Sequence, residues 1–466
     1  MHDLPYLTLS EASELIADRS ISPLEYTSTL LDRINELDPS LHAFTNTRAE
    51  GALRDARRAT DEIRDGYWKG PFHGIPYGLK DIIDFEGLPT TAGSASLENS
   101  IAGQHSTVAR KLNDAGGICM GKLATHEFAA GGTPLDQPWP PAKNPWNLSH
   151  DPGGSSSGSA VALSAGLLPA TIGTDTGGSI RGPATSCGIV GMKPAFGRIS
   201  RNGVLPLSHT FDHVGPMARS VKDVAILLQV LSGHDAADAH SVAYGAIDYT
   251  GALRGGVENL RVGFIRHFHD TDTDDVDPAI ATSIEAASRT LSRLGVAVED
   301  ISVEPLAAYA SVYDTIMLSE AYRIHRRRLT EDPSGYGELT RARLLKGATI
   351  TEAEYSAAVQ LRQNLIQKFT TATSGFDAII CASSMDTPAP LNDRKRLVHT
   401  YSRQARKVFN VVNAPAMSIP VGFTDSGMPL GMQIATASSN ESAILTLGHA
   451  YEQETGWLRR TPPLDH

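Results

Sequence analysis

Two turns rich in glycine and serine are the places in this sequence where residue types and spacing could support chemistry. They are residues 153–159 (GGSSSGS) and residues 173–179 (GTDTGGS). A serine hydroxyl becomes a strong nucleophile when a base takes its proton, and an oxyanion needs several N–H donors aimed at one point. Glycines allow the backbone conformations that turn N–H groups inward. The second turn could therefore supply a nucleophile, Ser179, together with an oxyanion hole.

The base for Ser179 has to come from elsewhere in the chain. Sixteen histidines are present, but none stands in a pattern that links it to Ser179. A lysine is the alternative, and because its reference pKa is about 10.4 it must be buried to act near neutrality. Lys80 follows a short apolar segment and Gly78, a setting unlike that of an exposed lysine. Local sequence permits Lys80 as the base but does not select it.

Other motifs with a known chemistry are incomplete here. Ser156 has the spacing of a nucleophile elbow, but residues 151–153 (DPG) do not form the strand that this motif requires. The glycine-rich turns lack the Gly-Lys-Ser/Thr ending of a phosphate-binding loop, and His126-Glu127 lacks the second histidine of a zinc helix. We therefore expect no metal and no cofactor.

The chain resembles the amidase signature family over nearly its whole length. The segments that carry the resemblance are residues 78–81 (GLKD), 121–122 (GK), 126–128 (HEF), 153–159, 173–181 (GTDTGGSIR), 188–194 (GIVGMKP), 212–219 (DHVGPMAR) and 413–420 (NAPAMSIP). The resemblance implies a Ser–Ser–Lys triad. Ser179 would be the nucleophile, Ser155 would follow a cis peptide and relay the proton, and Lys80 would be the base and later the proton source for the leaving amine.

The same resemblance implies the surroundings of the triad. The N–H groups of four consecutive residues would form the oxyanion hole: Thr176, Gly177, Gly178 and Ser179. Three further residues would hold the loop and the lysine: Ser156, Asp175 and Arg181. A purely structural ion pair between Asp175 and Arg181 fits their charges equally well.

Strands alternate with helices along the chain, which indicates a layered α/β fold. Capping-box patterns begin at Thr8 and Ser22 and predict N-terminal helices over about residues 8–65. Strands fit residues 260–265, 378–381 and 416–421. The resemblance implies a three-layer α/β/α sandwich around a large mixed, twisted sheet. We expect one domain over residues 1–466, with a variable segment at about 300–400 forming the substrate pocket.

The segment 134–159 is rich in Pro, Gly and Ser, which is typical of a linker. It also contains Trp139, Trp146 and Leu148, and an apolar segment follows directly. A packed functional loop therefore fits the sequence better than a linker.

Charge and cysteine content restrict the partners and the compartment. The sequence has 41 Lys and Arg against 52 Asp and Glu, a net charge of −11. This acidity argues against nucleic acid and anionic membranes as partners. Three widely spaced cysteines make no disulfide framework, and no leader or membrane-spanning run is evident, so a cytoplasmic location is expected.

The implied reaction is hydrolysis of a small-molecule carboxylic amide through an acyl-enzyme on Ser179. Apolar candidates for the pocket wall favour an aryl or alkyl amide, with esters and carbamates as side substrates: Ile180, Met317, Tyr322 and Met385. One alternative is the glutamine-hydrolysing component of an aminoacyl-tRNA amidotransferase, although residues 319–326 (SEAYRIHR) differ from the pattern of that component. An inactive member that acts as a binding protein is a second alternative. The N-terminal helices could form a homodimer or pack within the chain.

Overall fold

An eleven-stranded mixed sheet crosses the structure, which is a computed structural model that describes residues 3–133 and 135–464. The strand order is β1-β3-β2-β4-β6-β5-β10-β11-β9-β7-β8. The strands are β1 (Phe44–Thr47), β2 (Pro76–Lys80), β3 (Ile118–Leu123), β4 (Ala170–Asp175), β5 (Val190–Lys193), β6 (His213–Ala218), β7 (Arg261–Phe264), β8 (Ala297–Asp300), β9 (Ala378–Ala382), β10 (Ala416–Phe423) and β11 (Pro429–Ala435).

Helices precede, connect and follow these strands. They are α1 (Leu9–Ala17), α2 (Pro23–Leu41), α3 (Ala49–Arg64), α4 (Thr107–Asp114), α5 (Ser157–Ser164), α6 (Arg181–Cys187), α7 (Val221–Leu231), α8 (Tyr249–Ala252), α9 (His267–Asp270), α10 (Pro278–Arg293), α11 (Leu306–Glu331), α12 (Glu338–Leu345), α13 (Glu352–Thr373), α14 (Arg394–Ser402), α15 (Arg406–Val411) and α16 (Glu441–Thr455). Short 3-10 helices cover Leu4–Tyr6, Ala95–Leu97, Glu127–Ala129, Pro333–Gly335, Lys346–Thr349 and Trp457–Arg459.

Two groups of helices cover the sheet. Helices α5 and α6 contact each other and the central strands, whereas α7, α10 and α16 contact the sheet and form a second group with α16 between the other two. Every residue of the inner strands β2 and β4 is buried, as expected for strands covered on both faces. The predicted three-layer arrangement around a large mixed sheet is confirmed.

The N-terminal helices begin where the capping patterns predict. The Thr8 side chain accepts a hydrogen bond from the N–H of Glu11, and the Glu11 carboxylate accepts one from the N–H of Thr8. Ser22 caps α2 in the same way through the N–H of Glu25. The apolar side chains of α2, among them Leu30 and Ile34, are buried in the core of the same chain. Packing within the chain therefore accounts for this apolar face.

The loop that follows β3 is packed, and the linker interpretation is wrong. The Trp146 indole Nε1 donates to the Cys187 carbonyl at 2.9 Å, and the Asn144 amide donates to the Ser186 carbonyl at 2.8 Å. These bonds tie the loop to helix α6. Pro134 in this loop, and Met1 and His2 in the segment used for the leader prediction, lie outside the described residues. Over the described ranges, no helix has the length and apolarity needed to cross a membrane.

Parallel pairing between β2 and β4 brings the two glycine-rich turns to the end of Lys80's strand. Tyr77, Gly78 and Leu79 of β2 lie opposite Ala170, Thr171 and Ile172 of β4. Because the carboxyl ends of parallel strands meet at one edge of a sheet, Lys80 and Asp175 lie at the same edge. Helix α5 leads from the first turn back towards the start of β4.

Candidate active site

Lys80 lies at the centre of the site, at the last position of β2. Its side chain is fully buried, and its Nζ donates to Ser155 Oγ and to Thr174 Oγ1, each at 2.7 Å. The peptide bond between Gly154 and Ser155 is cis. Two hydroxyl groups from the two turns therefore share one lysine.

Burial changes the acid–base behaviour of this lysine. It lowers the pKa of Lys80 from 10.5 to about 7, while the carboxylates of Asp175 and Asp212 partly oppose the shift. Desolvation disfavours the ammonium form because a charge is poorly stabilised away from water. A substantial fraction of Lys80 is therefore neutral near pH 7 and able to accept a proton.

Ser179 lies beside Ser155 because the two turns are hydrogen-bonded to each other. The N–H of Ser156 donates to the Ser179 carbonyl at 3.1 Å. Ser179 is 5% exposed, and its hydroxyl has no hydrogen-bond partner among the residues the structure describes. The structure thus brings Lys80, Ser155 and Ser179 together, with the Ser179 hydroxyl uncommitted.

Asp175 holds the turn that carries Ser179. Its Oδ1 accepts from the N–H of Gly178 at 2.8 Å, and its Oδ2 accepts from the N–H of Ile180 at 3.2 Å. Gly178 has a φ of 114°, which strongly favours glycine. Because the Gly178 N–H already points at Asp175, it differs from the other three N–H groups expected in the oxyanion hole.

Arg181 completes a buried ionic network behind the turn. Its guanidinium binds Asp175 through Nη2 at 2.9 Å and Nε at 3.0 Å, and its Nη1 reaches Gln433 Oε1 at 2.6 Å. The Asn410 amide also donates to Asp175, at 2.9 Å. Burial would raise the pKa of Asp175, but the Arg181 charge and these hydrogen bonds hold it well below its usual value. Asp175 is therefore ionised, and both side chains hold the position of the turn.

Ser156 fastens the first turn to β4. Its Oγ donates to the Thr174 carbonyl at 3.2 Å and lies 3.3 Å from the Thr174 N–H. Among the predicted supporting residues, Ser156 therefore positions the serine that precedes it, and Asp175 and Arg181 position Ser179.

Two neighbours of the predicted triad had no role in the sequence interpretation. Thr174 is the second hydroxyl bound to Lys80, and His126 packs so closely against Gly154 that a side chain there would collide with its ring. Burial lowers the pKa of His126 to about 3, so its ring is neutral. Both residues lie inside segments that carry the family resemblance, and this resemblance was the signal in the sequence from which their place in the site could have been predicted.

A chamber of about 460 Å³ opens next to the first turn. Its wall includes Gly154, which directly precedes Ser155, and Gly182, which follows Ser179 by three residues, together with residues of three later regions. These regions supply Asp314 and Leu318 from α11; Leu339, Ala342, Arg343 and Lys346 from the α12 region; and Ser384, Leu397, Val398, Tyr401, Arg406 and Lys407 from the segment after β9.

The side chains that the sequence suggested for this wall are not the ones that form it. Ile180, Met317 and Met385 are buried in the core, and Tyr322 packs against Gly347. None of these four lines the chamber. Adjacent residues on a helix point about 100° apart, so Leu318 faces the chamber while Met317 faces the core.

Metal ligands do not cluster in the described part of the chain: no three His, Cys, Asp or Glu side chains are grouped so that they could hold an ion.

Comparison with known proteins identifies the family of this chain. The sequence profile of the amidase family matches residues 25–445. In Chloroflexus aggregans, the A component of the glutamyl-tRNA(Gln) amidotransferase is 34% identical over 490 residues, covering 100% of this chain and 99% of that protein.

Solved structures resemble the whole chain as well. A crystal structure of an amidase is 30% identical with a TM-score of 0.84, covering 96% of this chain and 99% of the other. The structure of 6-aminohexanoate cyclic dimer hydrolase is 27% identical with a TM-score of 0.89, covering all of both chains. The chain thus belongs to the amidase signature family of amide-hydrolysing enzymes.

Proposed function

We propose that the protein hydrolyses a small carboxylic amide through an acyl-enzyme on Ser179. The observation that carries this proposal is the 2.7 Å bond between Lys80 Nζ and Ser155 Oγ, in a turn that is itself bonded to Ser179. A buried lysine of lowered pKa beside an uncommitted serine hydroxyl is the arrangement that nucleophilic catalysis needs.

In the first half of the reaction, Lys80 takes the Ser179 proton through Ser155. Ser179 Oγ then attacks the amide carbonyl carbon, and the carbonyl oxygen becomes an oxyanion that the N–H groups of residues 176–179 stabilise. The Gly178 N–H also bonds to Asp175, so Thr176, Gly177 and Ser179 supply the donors that are free of this carboxylate. The Lys80 ammonium returns its proton through Ser155 to the leaving nitrogen, because an amine anion is a very poor leaving group.

In the second half, water attacks the acyl-enzyme. Lys80, neutral again after the amine has left, accepts a proton from this water through Ser155. The tetrahedral intermediate breaks the bond to Ser179 Oγ, which recovers its proton, and the acid is released. The same three side chains serve both halves.

Two classes of amide compete as substrates. The sequence favours an aryl or alkyl amide, whereas the curated relatives support the glutamine-hydrolysing amidotransferase component better. Residues 319–326, which argued against that component, lie on α11, where Glu320 accepts hydrogen bonds from Ser208 and Thr210. Because this stretch does not line the chamber, it does not separate the two classes.

The experiment is a substrate panel: a nitroanilide, a nitrophenyl ester, an aryl carbamate and free glutamine. Wild type is compared with Ser179→Ala and Lys80→Ala. We expect amide turnover that falls by at least about 10³-fold in both variants. Turnover that survives Ser179→Ala would refute the nucleophile. Activity on glutamine alone, and dependence on partner proteins, would assign the chain to the amidotransferase class.

A matched control separates lost chemistry from lost folding. Ser164 lies on α5, is buried and has no hydrogen-bond partner for its hydroxyl in the described structure, so Ser164→Ala should retain turnover. Labelling of wild type, but not Ser179→Ala, by a serine-directed phosphonate would exclude the inactive binding protein.

A further inference from the structure

Arg406, at the start of α15, is a buried cation without an anion. Its guanidinium donates through Nη1 to the Ser383 carbonyl at 3.1 Å and to the Ser384 hydroxyl. Its Nε is buried with no hydrogen-bond partner, and no acidic side chain of the described residues forms an ion pair with it. Burying a charge is costly unless an opposite charge or a full set of hydrogen bonds compensates.

This cation lies within reach of the nucleophile. A Cβ atom added to Gly182 would lie 3.2 Å from the Arg406 Cζ and Nε, and one added to Gly178 would lie 2.8 Å from Nε. Gly178 directly precedes Ser179, and Gly182 is one helical turn beyond it. Arg406 also lines the chamber. An anion on Arg406 would therefore be only a few atoms from the carbonyl attacked by Ser179.

A second cation without an acidic partner lies in the wall of the same chamber, with its guanidinium carbon 5.8 Å from the centre of the Tyr401 ring. The Arg343 guanidinium makes no ion pair or hydrogen bond with any described residue. A Cβ atom on Gly131 would lie 2.5 Å from Arg343 Nη1 and 2.8 Å from the Tyr401 hydroxyl, so these two donors are close to each other.

No acidic side chain of the wall forms an ion pair with Arg406 or Arg343 in the described structure: Asp136 accepts from the N–H of Glu338 at 2.7 Å, and Glu338 is itself exposed to solvent. Asp314 bonds to Lys407 at 2.9 Å, and Asp386 bonds to Arg403 at 2.7 Å. Asp151 accepts from Thr133 at 3.0 Å and from the N–H of Gly153 at 3.1 Å. Asp151, Asp314 and Asp386 thus have other partners, and the two guanidinium groups have no acidic partner among the described residues.

We propose that the substrate is an amide that carries a carboxylate, which Arg406 and Arg343 bind inside the chamber. A guanidinium matches a carboxylate in both charge and planar geometry. Apolar wall residues such as Leu318 and Leu339 would contact the intervening carbons. This inference rests on the proposed amide hydrolysis and replaces the uncharged aryl or alkyl amide that the sequence favoured.

Substrate pairs that differ only in the carboxylate test the inference. Glutaryl para-nitroanilide is compared with pentanoyl para-nitroanilide for an anion on the acyl side. 4-Acetamidobenzoate is compared with 4-methylacetanilide for an anion on the leaving side. We expect wild type to prefer the carboxylate in at least one pair by about 10-fold or more in kcat/KM, because charge-assisted hydrogen bonds are the strong ones. A preference for the neutral partner in both pairs would overturn the inference.

Variants then assign the preference to residues. Arg343→Met should raise KM for the preferred carboxylate substrate about 10- to 100-fold and leave its neutral partner within about threefold. Arg343→Lys should recover part of the loss. Arg341→Met, on the same helix but outside the chamber wall, is the matched control and should change neither substrate. Arg406→Met repeats the test at the deeper position.

Equal losses for the charged and neutral substrates in Arg343→Met would overturn the inference, since they would indicate damage to the chamber as a whole. If neutral amides are still hydrolysed in a Ser179-dependent way, the proposed function stands without the carboxylate. Turnover that persists in Ser179→Ala would refute the proposed function itself.

Discussion

Lys80 illustrates how the burial of one side chain sets the chemistry of the site. An ammonium group on the surface would remain protonated near neutrality, whereas burial lowers the pKa of Lys80 to about 7. In the proposed mechanism the neutral form of Lys80 is the base, and its fraction increases as pH rises through the pKa. We therefore expect kcat/KM to rise about tenfold per pH unit below 7 and to level off above it. A pH profile of amide hydrolysis from pH 5 to 9 measures this.

Lys193 provides the control for this assignment, because its pKa is also lowered to about 7, chiefly by burial and also by the Arg181 charge. Its Nζ donates to the Pro194 carbonyl at 3.2 Å and touches neither serine of the triad. Lys193→Met should keep the midpoint of the profile even if the rate falls. If the midpoint of the pH profile moves in Lys193→Met, the titration belongs to Lys193 and not to Lys80.

Asp175 and Arg181 form a buried ion pair that we expect to support catalysis by holding the Ser179 turn, without contact with the reacting atoms. Both side chains are fully buried, and each has several further hydrogen bonds. Asp175→Asn leaves the Arg181 charge uncompensated, so it should lower the free energy of unfolding by about 3–5 kcal/mol. It should also lower kcat, because the Ser179 turn loses its main anchor. Urea denaturation and nitroanilide kinetics measure the two effects.

The exposed pair Arg261–Glu299, with an N–O distance of 3.0 Å, is the comparison for this prediction. Glu299→Gln should change the free energy of unfolding by less than about 1 kcal/mol, since solvent screens an exposed pair. If Asp175→Asn were as mild as Glu299→Gln, the buried network would have no special part in holding the turn.

At the scale of elements, short-range sequence patterns predicted most of the secondary structure. The capping residues Thr8 and Ser22 each precede a helix, and the side chain of each accepts the expected hydrogen bond from the N–H three residues on. The predicted late strands correspond to β7, β9 and β10. These features depend on neighbours within about four residues, so the sequence displays them directly.

Contacts between elements that are distant in the sequence could not be predicted from such short-range patterns. The site brings Lys80, Ser155 and Ser179 together from β2 and two turns, and only the family resemblance joined them beforehand. The chamber wall depends on which face of α11 and α12 points inward. This orientation depends on packing against the segment after β9, so Leu318 and Arg343 were missed while Met317 was chosen.

Close packing between the first turn and the loop after β3 gives a prediction about Gly154. A side chain at this position would collide with the His126 ring. Because this turn carries Ser155, Gly154→Ala should displace the serine from Lys80, cost about 1–3 kcal/mol of stability and lower kcat at least about 100-fold. Thermal denaturation and nitroanilide turnover test this.

Gly245→Ala is the matched substitution, since a Cβ atom there meets nothing within 4 Å. It should leave both stability and turnover essentially unchanged. Full activity in Gly154→Ala would show that the turn can shift without cost, and would contradict the tight coupling inferred between His126 and the serine.

For the whole molecule, the continuity of the sheet bears on the number of domains. The sheet runs without a break across both halves of the chain: β1 to β6 form one block, β7 to β11 form the other, and antiparallel pairing between β5 and β10 joins them. One hydrophobic cluster extends from Leu7 to Tyr451 and includes residues of both helix layers. A chain divided into two independent units would place its core residues in two clusters.

This continuity predicts that the protein unfolds in one cooperative transition. Calorimetry should show a single peak, and Asp175→Asn should move the whole peak to lower temperature, because Arg181 links Asp175 at the end of β4 to Gln433 of β11 in the other half of the sheet. The control Glu299→Gln, at the β7–β8 end, should leave the peak in place. Two separable peaks, with only one displaced by Asp175→Asn, would instead mean that the strands from β10 to β8 fold as a unit of their own. The single-domain prediction would then be wrong, and the chamber would lie between two units that can move apart.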